Sequence, residues 1–173
     1  MLPEPLHPAV VHFPIVLSFL LPVVVFTAIW RIRRGALLRR TWAVALIVAA
    51  ALTLSTWVSV ETGEAEEDRV ENAVPAASLE AHEEAAERFL LLSFIVLVVT
   101  GAGLLGGPAG TAARLASGIG AAGLVAVGAL VGHSGGQLVY RDGAAAAYIA
   151  QTPDGGSAAA VSGARESDQR EED

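Results

Sequence analysis

An all-α polytopic membrane protein, four transmembrane helices in an up-down bundle, is the fold this sequence predicts, and three observations carry it. Four apolar stretches, residues 10–30, 42–60, 89–105 and 115–131, contain no Asp, Glu, Lys or Arg. A bilayer core about 30 Å thick needs roughly 20 such residues in a helix. Apolar residues make up 53% of the chain and charged ones only 17%, too few to clothe a soluble domain of 173 residues. The charges that exist are segregated between the stretches, with both signs kept apart.

The first stretch runs from "LHPAVVHFPIVL" into an unbroken apolar run, and its arginines follow it. A cleavable signal peptide has the opposite arrangement, basic residues first and a shorter apolar core. Pro8 suits the first turn of a helix. Pro14, further in, removes a backbone donor and predicts a local distortion beside His12. Arg31, Arg33, Arg34, Arg39 and Arg40 then crowd the connection to the second stretch. Short loops rich in Arg stay on the cytoplasmic side. That places the N-terminus outside, loop 31–40 inside, segment 61–88 outside, loop 106–114 inside, and the C-terminus outside. Arg114 on the third connection agrees, as do the ten acids against one Arg in residues 61–87. The orientation implies a multi-pass protein of a cell inner membrane.

The second stretch carries Thr53, Ser55, Thr56, Ser59 and Thr62 in its outer half, hydroxyls suited to orienting the ligands of a site. The acidic segment should end in a helix that extends the third span outward. In "SLEAHEEAAERF", Ser78 is a suitable N-cap, and His82, Ala85, Ala86 and Phe89 share one face. The fourth stretch has Gly118, Ala122, Ala126, Ala129 and His133 along one line, with Gly128, Gly132 and Gly136 spaced by four. Small residues at that spacing let helices approach closely or leave room for a flat ring. Residues 1–142 are thus expected to form the transmembrane domain. Residues 143–173, polar and low in hydrophobicity, should form a disordered acidic tail.

With this topology every histidine falls at one face of the membrane. His7 and His12 start the first span, His82 precedes the third, His133 ends the fourth, and Glu61 lies at the outer end of the second. Ionisable residues facing a bundle interior are costly and tend to be functional. Each also has a plainer role. An interfacial His7 caps a helix, His82 among acids pairs with one, small-residue spacing serves packing, and hydroxyls bond their own helix. His12 and His133 are the hardest to dismiss.

"LHPAVVHFPIVL" at 6–17 and "GHSGGQLVYRDG" at 132–143, with "TGEA" and "AHEEAAERF" between them, resemble the motifs of a bacterial membrane family, domain of unknown function 2231. The resemblance covers about residues 5–143. It implies four-helix membrane proteins without an assigned activity. Relatives fused to, or beside, c-type cytochrome domains imply a respiratory or redox setting. Many members carry an acid partway down the first helix, whereas residues 20–28 here have none; that speaks against a mid-membrane proton carrier.

Three functions fit the residues. The first is a b-type haem for electron transfer with a quinone or a periplasmic c-type cytochrome, held by His12 and His133 with His82 as substitute, and Gly132, Gly135 and Gly136 clearing space for the ring. The acidic segment could steer a basic cytochrome. The second is a haem-free metal site of His12, His82, His133 and Glu61, an N/O set suited to Cu, Zn or Fe. The third is a structural anchor or assembly subunit of a respiratory complex. All three describe a carrier or subunit rather than an enzyme. Ser134 beside His133 makes no triad, and no Gly-x-Ser-x-Gly elbow occurs. The chain lacks cysteine, which excludes disulfides, thiolate metal sites and covalently attached haem. No basic face suits nucleic acid.

Overall fold

The computed structural model describes residues 6–145, apart from the side chain of Arg69. Six helices follow one another: α1 His7–Val10, α2 His12–Arg33, α3 Leu38–Glu64, α4 Glu67–Val70, α5 Ala76–Ala102 and α6 Gly107–Tyr140. No strand occurs among the described residues. Four helical stretches, with α1 and α2 taken together, are long and apolar enough to cross a membrane. Helix α2 packs on α3 and α6, and α5 packs on the same two, so the four long helices close into a ring.

The predicted spans 10–30, 42–60 and 115–131 are the middles of longer helical stretches, and 89–105 covers the second half of α5 and runs past its end. Helix α3 continues to Glu64 and α5 begins at Ala76, so segment 61–88 is mostly helical rather than a loop. Helix α5 starts two residues before the expected cap. Pro75 in an extended conformation begins it, its carbonyl receives the Ser78 and Leu79 amides, and the Ser78 side chain caps nothing. The helix also stops at Ala102, short of residue 105. The distortion expected from Pro14 is present as an interruption at Val11, one position after the carbonyl that the missing proline N–H would have met.

The core is a column of Leu21, Val25, Ala28, Trp42, Ala45, Ala49, Leu52, Phe89, Val96, Ala121 and Leu124. Large apolar side chains such as Phe13, Phe19, Phe94 and Ile119 point away from it, as expected where lipid is the solvent. The inward face of α6 is Ser117, Gly118, Ala121, Leu124 and Leu138. Of the expected small-residue line, only Gly118 is buried; Ala122, Ala126, Ala129 and His133 are exposed. The line lies one position out of phase with the true inward face, a turn of about 100°.

One end of the bundle is closed by an arginine. Arg114 is buried, and its Nη1 donates to the carbonyls of Gly103 at 2.6 Å and Leu105 at 3.2 Å. Its Nη2 donates to Thr111 Oγ1 at 3.0 Å. A cation there satisfies the carbonyl of the α5 C-cap, Gly103, and that of Leu105 in the turn beyond it, and complements the dipole of α5. Nearby, Trp42 Nε1 donates to the Thr100 carbonyl at 2.7 Å. The other end, called the histidine end below, is covered by a small second cluster of Val74, Leu138 and Ala144, against which Val70 and Leu79 pack. Ala144 belongs to the expected tail; residues 146–173 lie outside the described part of the chain.

Candidate functional site

The histidine end is built from all four long helices. Its first anchor is Glu66, whose Oε1 accepts from the Leu6 amide at 2.8 Å and the His7 amide at 3.2 Å. A carboxylate supplied from the α3–α4 connection thus caps α1, whose first turn has no side-chain cap of its own. Capping fixes where His7 sits. The His7 imidazole then crosses to α3, its Nδ1 lying 2.9 Å from the Ser59 carbonyl and 3.5 Å from Thr62 Oγ1. Gly63 leaves it room: a Cβ at that position would lie 3.2 Å from the ring.

His82, on α5, makes the matching contact on α6. Its Nδ1 is 2.9 Å from Ser134 Oγ, and the Ser134 hydroxyl donates in turn to the Val131 carbonyl at 2.9 Å. Gly135 gives this ring its space, since a Cβ there would sit 3.0 Å from His82 Cε1. His7 and His82 are both half-buried at the same end of the bundle. Burial holds the His82 pKa below the ordinary imidazole range, His7 lowers it further, and a hydrogen bond to the Val131 backbone opposes both.

The partner settles the His7 tautomer. A carbonyl can only accept, so His7 carries its proton on Nδ1 and donates it to Ser59. His82 Nδ1 and Ser134 Oγ share a hydrogen bond whose direction follows the tautomer of the ring. In both rings the hydrogen bond is made by Nδ1, and Nε2 makes none. Metal-binding histidines are oriented in this way, with one nitrogen tied to a fixed oxygen and the other left to the metal. Beside them the Ser59 hydroxyl is buried and has no hydrogen-bond partner.

The residues favoured by sequence are placed differently. His12 and His133 are exposed on the flanks of the bundle, and His133 Nε2 pairs with Gln137 at 3.3 Å on its own helix. Glu61 is exposed as well. Among the described residues no three His, Cys, Asp or Glu side chains come together as a metal cluster. His12, His82, His133 and Glu61 therefore do not converge. Gly135 lines the site through His82, whereas a Cβ at Gly132 or Gly136 would meet nothing within 4 Å. Ser59, expected among the hydroxyls that orient a site, meets His7 through its carbonyl instead, while Glu66 and Ser134 carry no such expectation and His7 does more than cap a helix.

A signal for His7 and His82 was available. His7 lies seven residues before Pro14 and eleven before Ser18, both buried, so it continues the inward face of α2. His82 similarly lies seven before Phe89 and eleven before Ser93, both buried on α5. Small and hydroxyl-bearing side chains mark the inward face, and each line leads out to one histidine.

Comparison with known proteins agrees with this architecture. The model of a family described as predicted membrane protein, DUF2231, matches residues 3–147. The chain belongs to that family. No curated protein and no solved structure matches it. This DUF2231 protein is an integral membrane protein by its family and by its four spanning helices.

Proposed function

We propose that this protein carries a b-type haem at its histidine end, ligated by His7 and His82, and transfers single electrons at the outer face of a bacterial inner membrane. One observation carries the reading: two half-buried imidazoles at the same end of the bundle, on different helices, each tie Nδ1 to an oxygen of a further helix, and neither uses Nε2 in a hydrogen bond. The count of donors favours haem over a bare ion. A porphyrin supplies four nitrogens and asks two axial ligands of the protein. Zinc and similar ions are usually held by three or four protein donors, and among the described residues no such group exists.

A haem held there by His7 and His82 would supply one-electron redox chemistry, for which a membrane quinol and a soluble cytochrome are the fitting classes of partner. The histidine end suits such a partner: Glu61, Glu64, Asp68, Glu71, Glu80, Glu84 and Glu87 are exposed there, a field that attracts a basic protein. The test is a dithionite-reduced minus oxidised absorption spectrum of protein expressed with ample haem. A sharp α-band and a shifted Soret band support the reading. A featureless spectrum from folded protein overturns it.

A structural role for the same residues also has an observation in its favour. His7 bridges to α3, His82 to α6, and Glu66 reaches back to α1, so each is an interhelical tie. On that reading His82→Asn, which keeps a donor near Ser134, retains both fold and complex assembly, and no chromophore is lost.

A further inference from the structure

At the arginine end, opposite the histidines, we propose that the connection between α2 and α3 is a binding site for anionic phospholipid headgroups. Arg31, Arg33, Arg34, Arg39 and Arg40 fall within ten residues and all are exposed. Among the described residues no acid lies at this end to answer them: residues 29–44 and 100–120 contain neither Asp nor Glu. Arg114 is occupied with helix carbonyls, so the unanswered charge belongs to these five side chains.

The backbone gathers that charge into one patch. Gly35, at φ +93°, lets the chain turn sharply after α2. The Arg34 and Ala36 amides bond the Arg31 carbonyl at 3.1 and 3.0 Å, and the Gly35 amide bonds Ile32 at 3.0 Å. Helix α3 then begins at Leu38, so Arg39 and Arg40 stand in its first turn while Arg31 and Arg33 occupy the last turn of α2. The first turn of a helix is a poor place for cations, because the helix dipole has the same sign there. A phosphate between the two helix ends relieves that repulsion.

Two apolar neighbours set the patch at the depth of lipid headgroups. Trp30 is 57% exposed and Leu37 67% exposed, and the Arg34 guanidinium lies over the Trp30 ring, 5.4 Å from its centroid. Tryptophan is enriched at the membrane–water boundary. Clusters of basic residues just beyond a membrane helix attract anionic lipids, by an amount that falls with salt. The ligand chemistry is a phosphodiester, and its position selects a lipid over a soluble phosphate.

The experiment uses full-length protein in neutral detergent, with thermal unfolding followed as phosphatidylglycerol or phosphatidylcholine is added. Phosphatidylglycerol should raise the melting temperature saturably by several degrees, and phosphatidylcholine should not. The combined variant Arg33→Gln, Arg34→Gln, Arg39→Gln, Arg40→Gln should lose the difference, while Arg88→Gln keeps it. Equal responses to the two lipids, or a variant that still distinguishes them, overturn the proposal. A shift produced by glycerol 3-phosphate alone identifies a soluble-anion site and overturns the lipid assignment. If the combined variant does not fold, salt decides on the native chain. The preference should collapse between about 0.05 and 0.5 M NaCl, where the screening length falls to a few ångströms, and a preference that survives refutes it.

Discussion

At one end of the bundle a guanidinium is buried to satisfy the carbonyls that finish a helix; at the other, two imidazoles are half-buried with a nitrogen each left over. The chemical difference lies in spare capacity. Arg114 has no lone pair to offer, and its hydrogen bonds to Gly103, Leu105 and Thr111 bring carbonyl and hydroxyl oxygens to its donors. His7 and His82 also tie helices together, but a neutral imidazole has two nitrogens, and only Nδ1 is used in each. On the proposed function, the Nε2 atoms that neither helix tie uses are what a ligand would take. The comparison separates a structural closure from a site that can take a ligand.

The largest effect should come from the structural end. Arg114→Met leaves the Gly103 and Leu105 carbonyls without their donor in a buried place. Bonds to charged groups contribute about 1.5–3 kcal/mol each, so the loss should be about 3 kcal/mol in detergent unfolding, with any ligand spectrum retained. If stability is unchanged, the closure is not what holds that end.

Gly135→Ala is next, and it sharpens the contrast because neighbouring glycines act as controls. Its Cβ would press on His82 Cε1 from 3.0 Å, moving the ring off Ser134 and costing about 1–2 kcal/mol, as overpacking does. Gly132→Ala and Gly136→Ala meet open space, so each should stay within about 0.5 kcal/mol of the parent. Three equal responses would mean that Gly135 does not seat the imidazole.

Glu66→Gln weakens the cap on α1 and frees the turn that carries His7. Substituting a good cap typically costs about 1 kcal/mol. Hydrogen exchange of the His7, Ala9 and Val10 amides should quicken while α6 at the arginine end is unaffected.

The smallest effect is a pH dependence confined to the histidine end. Because His82 is harder to protonate in the folded protein than in the unfolded chain, the unfolded chain binds more protons as pH falls through the imidazole range. Stability should therefore decline below about pH 6.5 and be fully present above it. His82→Asn should flatten that part of the profile. An unaltered profile would assign it to other groups.

The helices were legible in the sequence because length and apolarity alone decide them, and the α2 interruption followed from Pro14. What could not be read directly was rotation. Helix α6 is Gly and Ala on most sides, and in lipid the outward face is as apolar as the inward one, so hydropathy carries no phase. A one-position error on α6 exchanges His133 for Ser134, and on α2 His12 was preferred to His7 for lying deeper in the apolar run. Glu66 was hidden for another reason: its partners lie 59 and 60 residues away, and nothing local distinguishes it among ten acids in residues 61–87. The phase was recoverable only by following buried serines, Ser18 and Ser93, outward to the histidines.

The most direct test of the ligand site compares reduced-minus-oxidised spectra of four single variants with the parent. The account predicts that His7→Ala and His82→Ala each abolish the sharp α-band. His12→Ala and His133→Ala should leave it intact. Loss of the band in His12→Ala or His133→Ala, with His7→Ala and His82→Ala unaffected, would contradict the assignment.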